Sequence, residues 1–402
     1  MKRNIIYKWS LLTALFPFTS VYTAIKGYKV NVFPFVFTLF FFFLGTQIIP
    51  TDSNDIGRYL MRFSAVANDT SIPFWTYFYS LEEDNQIDLA FPFITWLVSR
   101  VTTNPQVYAG VLSMMMGLFF SLNMSYIVKR LGFSSSLVTL LVFTLFFIPN
   151  PSFYTHRWWI AMQVFLFGAL PYCLDGKNKT ILFSAASVLV HFSFLYPVLL
   201  LLLNRVVPKR LLFLFLVLFV SSNLVEELNL SAIATSFEQF LPDSFVSRND
   251  MYLNLEMQDH NWFSQSYRFV WKYINFFLAI YIYIRFRKSF EYREGIMRLF
   301  LMALIIGSFA TIANLTEWGW RYLDISNFLF CSVYILLLGD RNAFDQKFLR
   351  VLRFASPFFL YVILFQIRGI FSVIGVKAFL LGNIFTTWFI NDAVSVLDVL
   401  KG

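Results

Sequence analysis

The sequence predicts an all-α membrane protein with about 10–12 transmembrane helices plus re-entrant or half-spanning segments. The first reason is composition: 58% of the 402 residues are hydrophobic and 14% are charged, whereas soluble proteins carry about a quarter charged residues. The second is the repetition of apolar runs of about 17–24 residues, which is a length that crosses a bilayer core. The third is the gathering of Trp and Tyr at the ends of these runs, as at Trp158 and Trp159, where interfacial anchors are common.

The apolar runs give ten candidate spans. These are residues 8–25, 31–49, 105–128, 134–149, 157–174, 211–227, 267–285, 297–315, 321–338 and 354–372. We expect residues 1–402 to form a single integral membrane domain. Its outer loops, 50–86 and 226–266, are expected to cap the active-site side.

Basic residues concentrate in six short turns between the apolar runs. The turns are 26–30, 129–133, 175–179, 204–210, 285–298 and 339–353. They hold 18 of the 32 Lys and Arg residues but five of the 23 Asp and Glu residues. By the positive-inside rule this side is cytoplasmic, and the opposite side is outer.

Two apolar stretches do not fit as full crossings. Only one crossing fits between the outer loop at 50–86 and the turn at 129–133, so segment 87–103 is expected to be re-entrant or interfacial. The basic turns on both sides of segment 180–204 belong inside, which predicts two half-helices meeting near His191 with Pro197 helping the break. The alternative is one ordinary 24-residue helix with a buried His.

Charged and aromatic residues at the outer ends of the spans are the candidates for a site. They are Asp55, Arg58, Tyr59, His156, Arg157, His191, Glu317, Arg321 and Tyr322. Asp55 and Arg58 lie three apart, which places them on one helix face. His191 lies within an apolar run, where ionisable groups are expensive and are functional candidates. A hydrogen-bonded core histidine is the competing interpretation.

Three predicted helices carry an arginine at their outer end: Arg58, Arg157 and Arg321. The planar guanidinium offers a fork of donors that suits phosphate oxygens, so the recurrence favours a shared anion site. For each residue alone, an interfacial anchor is the alternative. No Gly-rich phosphate loop, Cys/His metal spacing or nucleophile elbow occurs in the sequence, so we expect no metal and no cofactor. Nothing in the sequence favours nucleic-acid binding.

Four short motifs carry a resemblance to a known family. They are DIGRYL at 55–60, HRWWIA at 156–161, VHFS at 190–193 and the Arg-Tyr pair at 321–322. Their order resembles that of the EpsG-like branch of the Wzy-type O-antigen and exopolysaccharide polymerases. The likeness in layout covers most of residues 1–370.

This resemblance implies a GT-C-like membrane glycosyltransferase in the bacterial inner membrane, with its active site facing the periplasm or exterior. Such an enzyme transfers a growing glycan from undecaprenyl pyrophosphate onto a lipid-linked repeat unit. It acts within the lipid bilayer, with a chain-length regulator and a flippase as implied partners.

The implied reaction gives the candidate residues roles. Arg157, Arg321 and Arg58 would bind the pyrophosphate. His191 would be the base or the group that orients the acceptor, with Asp55 as the alternative base. The remaining candidates, which would contact substrate, are Tyr59, His156, Glu317 and Tyr322.

Three other functions stay open at this point. A lipid-linked oligosaccharide flippase or other transporter would also be polytopic, but it would usually show an internal repeat and charges spread through the midplane. An O-antigen ligase or a membrane acyltransferase would share most of these features. The position of the candidate charges on the outer side favours an enzyme over a transporter.

Overall fold

A computed structural model shows the chain as a bundle of α-helices. The structure describes residues 2–49, 55–81, 88–132, 135–148, 156–224, 262–312, 317–339, 345–387, 390 and 394–401. No strand is present among these residues, and the only pairings of β type are two isolated bridges. The all-α prediction is therefore confirmed.

The described helices are numbered here in chain order. They are α1 (Lys2–Leu15), α2 (Pro17–Lys26), α3 (Phe33–Thr46), α4 (Asp55–Asn68), α5 (Phe74–Ser80), α6 (Ala90–Ser99), α7 (Pro105–Val128), α8 (Ser136–Phe147), α9 (His156–Asp175), α10 (Ile181–Val190), α11 (Leu195–Val206), α12 (Leu212–Leu224), α13 (Trp262–Phe286), α14 (Glu294–Ile312), α15 (Glu317–Gly339), α16 (Gln346–Phe371), α17 (Val376–Leu381) and α18 (Val396–Lys401).

Six described helices are long and apolar enough to cross a membrane: α7, α9, α13, α14, α15 and α16. Each coincides with a predicted span, so the protein is a multi-pass membrane protein. Several other predicted spans, such as 31–49 and 134–149, are shorter helices in the structure.

The first predicted span, 8–25, is wrong as a single helix. The structure has α1 and α2 there, interrupted at Phe16. Pro17 is the first residue of α2. Its missing N–H and fixed φ suit a helix start but interrupt a continuing helix. The apolar run conceals this break because the residues on both sides of it are hydrophobic.

The predicted break in segment 180–204 is confirmed. His191 ends α10 in an extended conformation (φ −151°, ψ 114°), and a 3₁₀ turn at 192–194 leads into α11. The Arg205 guanidinium, near the end of α11, lies 5.9 Å from the ring centroid of Tyr172 on the last turn of α9. Because α10 begins close after that turn, the segment enters the bundle and returns to the same end.

Segment 87–103 also matches its prediction. Its helix, α6, has ten residues, which span about 15 Å and cannot cross a core of about 30 Å. Arg100, at its end, donates hydrogen bonds to the carbonyls of Asp69 and Ile72. The segment is thus held against the turn between α4 and α5.

The described parts of the predicted basic turns lie together at one end of the bundle, called the basic end below. Turn 26–30 is held there by the Ser125 hydroxyl near the end of α7, which donates to the Val30 carbonyl at 3.3 Å. Contacts that link them are Arg130–Asp175 (2.7 Å), the Gly132 N–H to the Gly339 carbonyl (2.8 Å), Lys209–Glu294 (3.2 Å) and Arg285–Asp345. The compartment that this end faces stays a prediction.

Candidate functional site

An ion pair lies at the end of the bundle opposite the basic end. Arg157, in the first turn of α9, donates from Nη1 to the Asp88 Oδ2 at 2.7 Å. The Asp88 side chain is 2% exposed and that of Arg157 is 22% exposed. The Arg157 guanidinium also lies 5.6 Å from the ring centroid of Tyr59 on α4. Three separate segments of the chain therefore meet at this arginine.

The second carboxylate oxygen of Asp88 contacts the broken helix. The Phe192 N–H donates to the Asp88 Oδ1 at 2.8 Å. Beside it, the Leu89 N–H donates to the Leu189 carbonyl at 3.1 Å. Asp88 thus connects the start of α9 to the break between α10 and α11. It also satisfies one of the backbone donors that the break leaves without a helical partner.

His191 lies at the break, and its hydrogen bonds restrict its chemistry. Its Nδ1 receives the Ser193 N–H at 3.3 Å and lies 2.8 Å from the Ser193 Oγ. A backbone N–H can only donate, so Nδ1 carries the lone pair and the proton of the neutral ring is on Nε2. This geometry favours a role for Nε2–H as a hydrogen-bond donor over a role as a base.

Tyr322 supports the same turn from α15. Its side chain is buried, and its hydroxyl donates to the Ser193 carbonyl at 2.8 Å. Its ring packs against Phe309 and Trp158, with centroids 5.4 and 6.4 Å away. The Tyr322 hydroxyl therefore holds the turn at Ser193, and its predicted contact with substrate stays a prediction.

Tyr59 is similarly buried, and its ring centroid lies 4.8 Å from that of Phe91 on α6. Arg58, which directly precedes Tyr59 on α4, is exposed. The side chains of the other candidates lie outside the described part of the structure; these are Asp55, His156 and Glu317. Their roles stay predictions.

Arg321 does not join the pair of Arg157 and Asp88. It lines a separate cavity of about 220 Å³ between α12, α13, α15 and α16. Arg268, Lys272 and Asp324 also line this cavity, and none of them was among the predicted site residues. Two of the three predicted arginines therefore lie apart, with Arg157 in the ion pair with Asp88 and Arg321 in this cavity.

Sequence signals for the missed residues existed. Arg268 and Lys272 lie four apart in the first turns of an apolar span, which places two costly charges on one helix face. Asp88 is an acid at the start of a stretch too short to cross. Its partner is 69 residues away along the chain, which no local pattern reveals.

Among the described residues, no group of three His, Cys, Asp or Glu side chains has the spacing to hold a metal ion.

Comparison with models of protein families finds a match. A family model described as the EpsG family matches residues 30–374, from the turn before α3 to just after α16. No curated protein and no solved structure matches the chain.

Proposed function

The chain belongs to the EpsG family, as the match over most of its length establishes, and from this premise we propose that it polymerises lipid-linked glycan repeat units. The family suggests a polysaccharide polymerase-type role. In the proposed reaction, the bond between the anomeric carbon of the growing glycan and its undecaprenyl pyrophosphate breaks. A new glycosidic bond forms to a hydroxyl of the incoming lipid-linked repeat unit, and that hydroxyl loses its proton.

The observation that carries the proposal is the connection of Arg157, Asp88 and the break at His191. Ionisable groups inside an apolar bundle are expensive and mark functional sites. Irregular backbone at membrane depth is tolerated only where it is buried in protein or lines a water-filled cavity. The ion pair and the helix break lie together at the end of the bundle opposite the basic end. If the basic turns are cytoplasmic, this is the outer end.

The proposed roles follow from the hydrogen bonds. The Arg157 guanidinium stabilises charge on the leaving pyrophosphate, and Asp88 fixes its orientation. The His191 Nε2–H donates to the acceptor sugar and positions the attacking hydroxyl. Asp55 takes the proton of that hydroxyl, since the Nδ1 lone pair of His191 is directed at Ser193. Arg58 and Arg321 contribute positive charge to the same reaction.

One observation favours a second candidate function. Discontinuous helices are typical of transporter binding sites, and the segment from α10 to α11 is discontinuous at His191. A flippase for lipid-linked oligosaccharides would use such a break to hold a headgroup without chemistry.

Replacing Arg157 or His191 with Ala in a strain that makes the polysaccharide tests the proposal. We expect long-chain glycan to be lost and single repeat units to remain. Removing one group that stabilises a leaving charge slows a reaction by about 100- to 1,000-fold. Arg287→Ala, an exposed arginine at the basic end, is the matched control and should give wild-type chains. Wild-type chain lengths from both site variants would contradict the assignment.

A further inference from the structure

Two basic turns, 175–179 and 204–210, come together where α10 begins and α11 ends, at the mouth of the broken segment. The Arg205 guanidinium lies beside the Tyr172 ring and the Gly176 backbone, with its Nη1 3.8 Å from the place that a Cβ of Gly176 would occupy. Gly176 has a φ of +66°, a conformation that glycine adopts without strain. Arg205 is therefore held against the turn that connects α9 to α10.

The carboxylates at this mouth are already paired. The two turns hold five cations and one acid, Asp175. The Asp175 Oδ2 lies 3.0 Å from the Lys177 Nζ, and its Oδ1 lies 2.7 Å from the Arg130 Nη2. Glu294, in the first turn of α14, lies 3.2 Å from the Lys209 Nζ. Both carboxylates are thus used by cations of the protein itself.

Three cations of the two turns have no such partner: Lys179, Arg205 and Arg210. Within the residues that the structure describes, none of them forms an ion pair. The charge of Glu294 reaches Arg205, but that carboxylate is paired with Lys209. All three unpaired cations are exposed. Their charge is therefore available to an anion from outside the protein.

Each unpaired cation stands at the end of an exposed apolar helix face. Lys179 and Arg210 lie in the 3₁₀ turns that lead directly into α10 and α12, and Arg205 lies in the last turn of α11. Residues three or four apart share one face of a helix. The exposed apolar side chains at this spacing are Leu182 and Phe183 for Lys179, Leu202 for Arg205, and Phe213 and Leu214 for Arg210.

The end of α11 is fixed to α14 by reciprocal hydrogen bonds. The Arg298 Nη1 donates to the carbonyls of Asn204 and Val207, at 2.7 Å each, and the Asn204 Nδ2 donates back to the Arg298 carbonyl at 3.0 Å. These bonds satisfy carbonyls that the end of a helix leaves without a helical partner. Arg205 is therefore positioned before any ligand arrives, which lowers the entropy cost of binding.

The order of cation and apolar face matches that of a phospholipid, whose phosphate lies at the membrane surface and whose acyl chains lie below it. Basic pockets between helices at the cytoplasmic side of membrane proteins bind anionic headgroups. Scattered basic side chains that extend to the membrane surface would attract such lipids without holding one in place. The fixed Arg205, next to the turn that carries Lys179, favours a defined site.

We propose that an anionic phospholipid binds at the mouth of α10 and α11, with its phosphate between Arg205 and Lys179. Its acyl chains lie along the exposed apolar faces that these two cations end, and Arg210 adds attraction from the start of α12. The lipid thereby connects the two ends of the segment that is broken at His191. The site lies at the basic end and does not rest on the proposed function.

Native mass spectrometry of the full-length protein in detergent tests this site, because it counts the lipid molecules bound at each lipid concentration. The probes are phosphatidylglycerol, phosphatidylcholine with the same acyl chains, and glycerophosphoglycerol, which is the anionic headgroup without chains. The variants are Lys179→Met, Arg205→Gln and their combination. The matched control combines Lys347→Met with Arg287→Gln, at exposed positions elsewhere on the basic end.

We expect the wild type to bind phosphatidylglycerol more tightly than phosphatidylcholine. Each single variant should weaken this binding by about fivefold, the value of one basic side chain at a membrane surface, and the double variant by about 25-fold. Equal affinity for the two lipids, or an equal loss in the control, would overturn the site. Binding of glycerophosphoglycerol as tight as that of the lipid would overturn the role of the apolar faces.

Thermal unfolding gives a second readout and verifies that each variant is folded. A ligand that binds the folded state alone raises its stability, so phosphatidylglycerol should raise the unfolding temperature of the wild type more than that of the double variant. The Lys179 side chain forms no hydrogen bond or ion pair within the described chain. Lys179→Met alone therefore decides the test if Arg205→Gln disturbs the fold, and unchanged affinity in Lys179→Met would then overturn the site.

Discussion

Asp88 and Arg157 depend on each other at the scale of single residues. The Asp88 carboxylate is nearly inaccessible to solvent and receives hydrogen bonds from Arg157 and from the Phe192 N–H. Removing one partner of a buried ion pair leaves an uncompensated charge and costs about 3–5 kcal/mol, whereas removing both can be nearly neutral. The pair therefore offers a way to separate the structural role of Arg157 from its proposed role in the reaction.

We predict that Asp88→Leu destabilises the protein by about 3–5 kcal/mol and that the double variant with Arg157→Leu recovers most of this loss. Thermal unfolding in detergent measures the recovery. Glycan chain length in cells should not recover, because the double variant lacks the guanidinium that stabilises the leaving group. Wild-type chains from the double variant would mean that Arg157 serves only to hold the fold.

His191 permits a similar separation. In His191→Asn, the side-chain oxygen can replace Nδ1 as the acceptor for the Ser193 N–H, but the donor at Nε2 is lost. We predict wild-type stability and at least 100-fold less polymer for this variant, measured by thermal unfolding and by chain length. If His191→Asn makes normal polymer, the imidazole acts in packing and not in the reaction.

At the scale of helices, close packing between α9 and α10 holds the broken segment in place. Gly168 on α9 is the contact point, since a Cβ there would collide with the Ser184 Oγ and the Thr180 carbonyl on the neighbouring segment. The Ser184 hydroxyl also donates to the Phe165 carbonyl at 2.9 Å. Small residues at such contacts allow helix backbones to approach each other within a membrane.

Gly168→Val should therefore displace α10 and destabilise the protein by about 1–3 kcal/mol or more. Ala185→Val, on an exposed position of α10, adds the same kind of side chain without the collision and should have little effect. Thermal unfolding compares the two variants. Equal stability of both would show that this contact does not fix α10.

Helix positions were largely predictable because each apolar run has a length set by the bilayer, and because the basic turns fix which end each run must reach. The break at His191 followed from the same charges, since 180–204 has basic turns on both sides. The break at Phe16 did not, because its cause is the single residue Pro17 inside a run that stays apolar. The local sequence pattern therefore predicted the helices, but it did not predict every break within an apolar run.

At the scale of the whole molecule, the distribution of charge organises the bundle. The described parts of the six basic turns meet at one end, and Arg157, Asp88 and His191 lie toward the other. Contacts between residues that are far apart in the sequence were harder to predict. The cavity is lined by residues of α13 and α15, and Asp88 contacts Arg157 through tertiary packing. Such pairings depend on helix rotation, which an apolar run does not specify.

The membrane orientation can be tested by cysteine labelling. The native Cys173 and Cys331 are buried, so background labelling should be low. We predict that a membrane-impermeant maleimide labels Thr70→Cys in intact spheroplasts, whereas Lys177→Cys and Lys209→Cys need permeabilisation. Labelling of only one of these two lysine positions from outside would contradict the return of α11 to the end where α10 begins. Labelling of both from outside would show that the orientation is the reverse of the predicted one.

Purified protein in proteoliposomes with a lipid-linked repeat unit gives the most direct test of the central claim, that the chain polymerises glycans. We predict a ladder of products that lengthen by one repeat unit at a time, with release of undecaprenyl pyrophosphate and no added nucleotide or metal. The Arg157→Ala protein should give no ladder. Transfer of intact lipid-linked repeat units across the vesicle membrane without any elongated product would contradict the claim and identify a flippase instead.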